Sequence, residues 1–396
     1  MKIWRLHESS NLLLIGGVSF IAISPLYFYG ALSVQIIDSL EYKPSLHGLG
    51  ATSFYLFAAV LATSLGRVAD QTDPVSTLKI SMSVVFVTNI GLSVSNSLQM
   101  ICFFLAFGGI ANAFATLGVA RFVQDKIEMK QQGLAYGVKQ SATGLPTLVA
   151  AAAIPFVATS DQWRLVFAIG SIFPIIILKN LHPLSRGKAR ISFDSSLFSF
   201  NFSQRSSRKK YTFEIKLISV SFGLGAAVGA GLITFLPVSN VESGLSVHQS
   251  SFAIVLASFS SFIIRFGVLL YMDRTEIDAI KICIFMMAIG AIGFFGLSTM
   301  KSELVTFFAV MTYAFGWGWV GLIAYKMLRI SSNDLGSNVG LMQTAAALGS
   351  VIGPAALGYI LEFSGFQLMW TVCCAALIAS LAFLIFSQLA SKSAKS

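Results

Sequence analysis

Charge is scarce in this 396-residue chain. Only 11% of its residues are Asp, Glu, Lys or Arg, against roughly a quarter in ordinary soluble domains. The shortage is also uneven. Runs such as 11–35, 80–120 and 217–241 carry no charged side chain at all. A run of about 20 apolar residues crosses a bilayer, and no single soluble core could hide this many of them. A soluble globular protein is excluded. Metal and redox chemistry go with it. The four cysteines (Cys102, Cys283, Cys373 and Cys374) form no Cys-x-x-Cys pair and read as small hydrophobes. The four histidines (His7, His47, His182 and His248) fall at span ends or in loops and show no ligand spacing. No phosphate loop is present, so ATP-driven pumping fails. A membrane-embedded acyl transferase would need His and Asp clustered at one interface, and no such cluster exists. No enzyme and no cofactor are expected.

What remains is apolar and rhythmic. The chain is 55% hydrophobic, with 34 Phe. Breaks of charge and turn residues predict twelve spans: 11–33, 46–65, 76–95, 98–120, 133–157, 164–178, 215–238, 247–270, 279–299, 304–328, 336–361 and 368–389. The first apolar run is longer than a signal-peptide core and is expected to be retained. Residues 179–214, rich in Ser, Lys and Arg, are the expected linker between a bundle at 1–178 and a second at 215–396. Internal similarity supports that division. Residues 65–73 answer to 268–276, and Gly137-Val138-Lys139-Gln140-Ser141-Ala142 answers to Gly340-Leu341-Met342-Gln343-Thr344-Ala345 at the same offset of 203. Two copies of one membrane unit are the way secondary transporters are built, with the substrate between them. The expected fold is therefore an all-α polytopic membrane protein, twelve transmembrane helices in two pseudo-symmetric six-helix bundles.

Topology follows from the basic residues. With both termini inside, 23 of the 27 Lys and Arg are cytoplasmic, Lys43, Arg164 and Lys301 are outside, and Lys139 lies within a span. Arg265 is counted with the cytoplasmic set. The formal charge of +10 is then explained by a cytoplasmic leaflet of anionic lipid, and no nucleic acid is needed. A cell inner membrane and a monomer are expected.

Gly66-x-x-x-Asp70, directly after the second span, resembles the loop signature of the major facilitator superfamily. Where that signature continues Asp-Arg-x-Gly-Arg-Arg, this chain reads Asp70-Gln71-Thr72-Asp73-Pro74, and the second copy keeps Asp273-Arg274. The resemblance implies twelve helices in two halves that open a central cavity alternately to either face. It also implies a cytoplasmic gate at Gly66, Arg67, Asp70, Arg121, Asp273 and Arg274. Read physically, the glycine permits close helix approach and the carboxylates cap helix ends or pair with Arg67, Arg121, Arg265 or Arg274. The rival reading is of plain interfacial charges.

Lys139 is the sharpest residue. On a helical wheel Gln132, Tyr136, Lys139, Gln140 and Thr143 form one polar stripe, and a lysine inside a membrane is costly enough to suggest function. It is read as the anchor for an anionic substrate. A snorkelling side chain and a structural ion pair are the other readings. Gly137 to Ala142, followed by Pro155 and Trp163-Arg164, looks like the cyanate-permease-like branch of the superfamily, whose members are associated with small anions and organic acids. No Asp or Glu lies in the middle of any span, and the fourth span has no Arg from Phe103 to Gly118. That weighs against cationic drugs, for which an embedded carboxylate is the usual binder. The expected substrate-binding set is Lys139, Gln140, Gln343, Asn112, Tyr136, Tyr27, Tyr313 and Trp317. The aromatic members follow from the superfamily's use of its first, fourth, seventh and tenth helices, with packing as the alternative. The expected activity is secondary transport of a small organic or inorganic anion, with a proton or counter-anion as coupling partner. Efflux of amphipathic compounds is the alternative.

Overall fold

The computed structural model describes residues 2–157, 161–181, 211–274, 278–330 and 335–393. At 2–9, 62–71, 130, 133, 269–270, 273–274, 324–325, 328–330, 335–337 and 391–393 it describes the backbone alone. Most of the 179–214 linker therefore lies outside the described residues. Apolar runs without alternation must satisfy their backbone groups within themselves, and the helix is the form that does so. Every regular element among the described residues is helical.

The first part of the chain comprises α1 (Lys2–Ala31), α2 (Ser33–Leu40), a 3-10 turn (Pro44–His47), α3 (Gly48–Gln71), α4 (Pro74–Ser93) and α5 (Leu98–Lys126). Then follow α6 (Met129–Ala142), α7 (Leu145–Ala153), α8 (Trp163–Gly170) and α9 (Ile172–Leu181). The second part comprises α10 (Phe213–Glu242), α11 (Val247–Arg274), α12 (Ala279–Ser298), α13 (Ser302–Met311), α14 (Val320–Ile330) and α15 (Leu335–Ser393). Side-chain caps start several of them. Asp73 accepts from the Ser76 amide at 3.2 Å, Ser97 from Met100 at 3.3 Å and Thr212 from Ile215 at 3.4 Å.

Nine stretches of the described helices are long and apolar enough to cross a bilayer. The longest, Asn338–Ala390, is divided at Gly365, whose φ of 72° is a conformation that L side chains rarely adopt. The span predicted at 133–157 is two helices and a 3-10 turn (Ile154–Phe156), because Pro146 and Pro155 each remove a backbone donor. The span predicted at 304–328 is broken as well. Between α13 and α14 the chain widens into a π-helical segment, Thr312–Gly316, followed by a turn at 317–319.

Phe103, Phe252, Phe285 and Phe307 point outward and are exposed, as expected for a surface in contact with lipid. Lipid tails supply no hydrophobic drive between helices, so close backbone approach and interhelical hydrogen bonds hold the bundle. A Cβ at Gly109 would lie 2.0 Å from the Phe54 carbonyl oxygen, and one at Gly349 would lie 1.9 Å from that of Gly223. Ser81 donates to the Ala111 carbonyl at 2.7 Å, and Ser380 to that of Ser221 at 2.8 Å. Accordingly α3 and α4 pack on α5, while α10 and α12 pack on α15. Contacts of α1 with α10, α3 with α15 and α7 with α11 join the two parts.

Candidate functional site

The joint between the two parts is tight at one end. A Cβ at Gly48 would sit 2.2 Å from the Pro354 carbonyl oxygen, and one at Gly358 would sit 2.3 Å from that of Ser45. Thr52 donates to the Val351 carbonyl at 3.2 Å, and Ser251 to that of Ala151 at 2.6 Å. Lys43 and Ser45 both donate to the Glu362 carboxylate and hold its pKa below the usual glutamate range. Beside this seal, Ser39 and Arg164 do the same for Asp161, and Arg164 also donates to the Ser95 carbonyl at 3.1 Å. His47 is fully buried here. Its ring stacks on Tyr29 at 3.9 Å and its Nδ1 lies 2.7 Å from the Tyr42 hydroxyl.

Away from the seal the contacts thin out. Gly144 approaches Arg265, with 3.7 Å between a built Cβ and Nη1, and Gly321 approaches Gln140 at 3.9 Å. One turn further along the same face of α6, Gly137 meets nothing within 4 Å and Tyr136 is exposed. The joint is thus a wedge, closed at the Lys43–Glu362 end and open at the other.

Arg265 sits where the wedge begins to open, between two small lobes of about 10 Å³ each, room for about one water apiece. Tyr27, Ser258, Ser261, Phe262, Tyr313 and Trp317 line the first, with Ser141 and Gly144 at its floor. Gln140, Val268, Gly318, Gly321 and Leu322 line the second. The π segment explains the first lobe. An extra residue in the turn releases backbone carbonyls from their helical partners. The Trp319 indole N–H donates to the Gly316 carbonyl at 2.7 Å, and Arg265 Nη2 donates to that of Trp317 at 3.0 Å. Both indoles lie on glycines of α10. A built Cβ would meet the Trp319 ring at 2.1 Å from Gly225 and the Trp317 ring at 2.0 Å from Gly229. The glycine row of that helix is therefore a seat for aromatic rings.

Arg265 has no carboxylate partner among the described residues. Its guanidinium carbon lies 5.8 Å from the centre of the Trp317 ring, and its Nε is shut off from solvent with no acceptor. Ser258 Oγ is likewise buried and unpartnered. An unpaired cation in such surroundings is expensive, and what it can do chemically is receive an anion.

Of the residues that the sequence marks for binding, Tyr27, Gln140, Tyr313 and Trp317 line these lobes. Lys139, one position from Gln140, is half-buried, lines neither lobe and has no partner among the described residues. Asn112 is half-buried on α5 and lines neither. Tyr136 and Gln343 are exposed, on α6 and α15. Of the gate residues, Arg121 is half-buried on α5. Gly66, Arg67 and Asp70 belong to the last turns of α3, and Asp273 and Arg274 close α11, with side chains outside the described residues. The sequence reading places Arg265 among the cytoplasmic charges. It lies well inside α11, nine residues before the end of that helix. The signal for it was present: Ser258, Ser261 and Arg265 share one face of an otherwise apolar helix.

The family model of the Major Facilitator Superfamily matches residues 12–329. The fold is similar to crystal structures of a bacterial homologue of the human lysosomal transporter Spinster. In its inward-facing, occupied conformation the TM-score is 0.71 at 17% identity over 97% of each chain. In the inward-facing, unoccupied conformation the TM-score is 0.64 at 16% identity. The nucleoside transporter NupG is also similar, with a TM-score of 0.68 and 13% identity over 95% of this chain and 98% of that one. No curated protein matches the sequence significantly.

Proposed function

This chain belongs to the Major Facilitator Superfamily, and from that premise we propose that it is a secondary active transporter of a small anion, working by alternating access across a cell inner membrane. Twelve spans form two six-helix halves, 1–178 and 215–396, with the linker 179–214 and both termini in the cytoplasm. On this topology the sealed end of the wedge is external and the open end cytoplasmic, so the molecule is inward-facing. The gate at Gly66, Arg67, Asp70, Arg121, Asp273 and Arg274 then lies on the open side.

One observation carries the anion reading: the Arg265 guanidinium, at the joint between the halves, has an Nε sealed from solvent and without an acceptor. A cationic substrate would meet repulsion there and no carboxylate to offset it. Gln140, Tyr27 and Tyr313 add neutral donors around the same space. Lys139, one residue from Gln140 on α6, raises the local positive potential and is read as an attractor at the cytoplasmic approach. The similarity of 137–142 to the cyanate-permease-like branch points to the same substrate class. Efflux of amphipathic compounds is the second reading, favoured by the aromatic wall of Tyr27, Phe262, Tyr313 and Trp317.

Thermal stabilisation of the purified protein separates the two, because a ligand raises the melting temperature by mass action. A panel of small anions is expected to stabilise wild type and to lose that effect in Arg265→Ala. Stabilisation by lipophilic cations alone, equal in both proteins, would refute the anion reading and favour efflux.

A further inference from the structure

A tight seal should hold no unpaired polar groups, since a buried donor or acceptor without a partner is costly. This one holds several. Ser33 Oγ, both amide atoms of Gln35, both amide atoms of Asn240 and His47 Nε2 are buried without a hydrogen-bond partner among the described residues. Ser33 and Gln35 belong to α2, which packs on α10 and on the 3-10 turn that ends at His47.

Asn240 can be placed by register. A Cβ built at Gly30 would lie 2.5 Å from the Ile233 carbonyl oxygen and 3.3 Å from Ile233 Cγ2, so these two residues mark where α1 touches α10. Asn240 stands seven residues beyond Ile233, two turns on and on the same face of α10. Seven residues beyond Gly30 stands Ile37. Helical bonding runs through the junction of α1 and α2, with the Leu32 amide donating to Phe28 and that of Ile36 to Leu32. As the first and seventh spans the two helices point the same way, which sets the Asn240 amide level with an aliphatic side chain of the other part.

Asn89 makes the contrast. It is equally buried and unpartnered, but it lies inside the first part, where its Nδ2 is 3.6 Å from a Cβ built at Gly170. Its deficit persists when the two parts move as rigid bodies. That of Asn240 ends once water enters the joint.

We propose that Asn240 is a counterweight to the external seal: an amide left unpaired when that end is closed and hydrated when it opens, which shifts the carrier toward its outward-open state. Ser33 adds to the effect in the same seam. The backbone contacts at Gly48 and Gly358 favour closure, and an opposing deficit keeps the second state within thermal reach. This rests on the alternating-access reading above and names side chains that set the balance between its two states.

The test is thiol labelling of the full chain in lipid nanodiscs, with Thr52→Cys in a background without the four native cysteines. Labelling behind a seal follows the open population when opening outpaces the reagent. Asn240→Leu keeps the shape of the side chain and removes its polar atoms. It is expected to slow labelling by a water-soluble maleimide about ten-fold and to raise the melting temperature by about 2–4 °C. Ser33→Ala should slow labelling about three-fold. Asn89→Leu is expected to raise the melting temperature similarly and to leave the labelling rate within about two-fold of wild type. A stabilised Asn240→Leu protein labelled at the wild-type rate, or equal slowing by Asn89→Leu, overturns the counterweight and leaves alternating access standing. Faster labelling with a lower melting temperature overturns it too, because the amide would then be holding the seal. A Thr52→Cys thiol that never reacts, even with Glu362→Gln added, denies outward opening and sinks the reading beneath the inference. Should Asn240→Leu not fold, Ser33→Ala against Asn89→Leu still decides.

Discussion

The Glu362 carboxylate is held by hydrogen bonds from Lys43 and then Ser45, which lower its pKa. Its contribution to closure is therefore complete above the ordinary glutamate range and is lost as the pH on that face falls through the lowered value. The group is exposed, so salt screens the pair. Glu362→Gln should make a cysteine introduced by Thr52→Cys, in a background without the four native cysteines, react faster with a thiol reagent. Acidification of wild type should imitate the substitution, and an unchanged labelling rate would remove Glu362 from the seal. Gly109 sits away from the joint, inside one part of the bundle and against the Phe54 backbone. Gly109→Leu is expected to destabilise the protein by about 1–3 kcal/mol, the usual cost of overpacking, read as a lower melting temperature in detergent. Legibility at this scale was mixed. Tyr27, Gln140, Tyr313 and Trp317 were reachable from polarity and helix position. Arg265 was not singled out, because a cation five residues from the predicted end of a span at Leu270 looks interfacial. The helix continues to Arg274, and that longer run takes the guanidinium inward.

Two elements carry irregularities that a hydropathy pattern does not reveal. The fifth predicted span breaks between Ala142 and Leu145. The Gly144-Leu145-Pro146 sequence announces a weak point without fixing whether the chain kinks or starts a new helix. The π segment Thr312–Gly316 leaves no compositional trace, since its side chains are as apolar and aromatic as their neighbours. Its effect is geometric, a widened turn that runs into the break at 317–319, where the Trp317 carbonyl accepts from Arg265. Deleting Ala314 should close the excess to an ordinary α-turn. The expected result is loss of anion-dependent thermal stabilisation while helical content by circular dichroism is kept. Undiminished stabilisation would mean that the widened turn is incidental to the site. The apolar runs themselves were plain from sequence, because every residue of such a run must be lipid-compatible or buried.

Across the whole molecule the sealed end is built from backbone contacts at Gly48, Gly358 and Pro354, and the open end begins below Gln140. Cysteines introduced by Gly137→Cys and Thr52→Cys, the latter at a side chain that already bonds across the seal, should therefore differ in access. The first is expected to be labelled readily by a water-soluble thiol reagent and the second protected. The reverse pattern would place the resting state in the opposite conformation. The unpaired Arg265 has an electrical consequence as well. With a monoanion seated, the site is neutral and the reorienting step moves no net charge through the bilayer. Empty, it presents one positive charge, now to one aqueous phase and now to the other. A potential of 100 mV acting on one charge across the full field amounts to about 2.3 kcal/mol, which is the ceiling here. Voltage, negative inside, should then bias the vacant carrier toward the cytoplasm and leave the loaded carrier indifferent. The polarisation of a vesicle would govern the return stroke of the cycle and spare the delivery stroke.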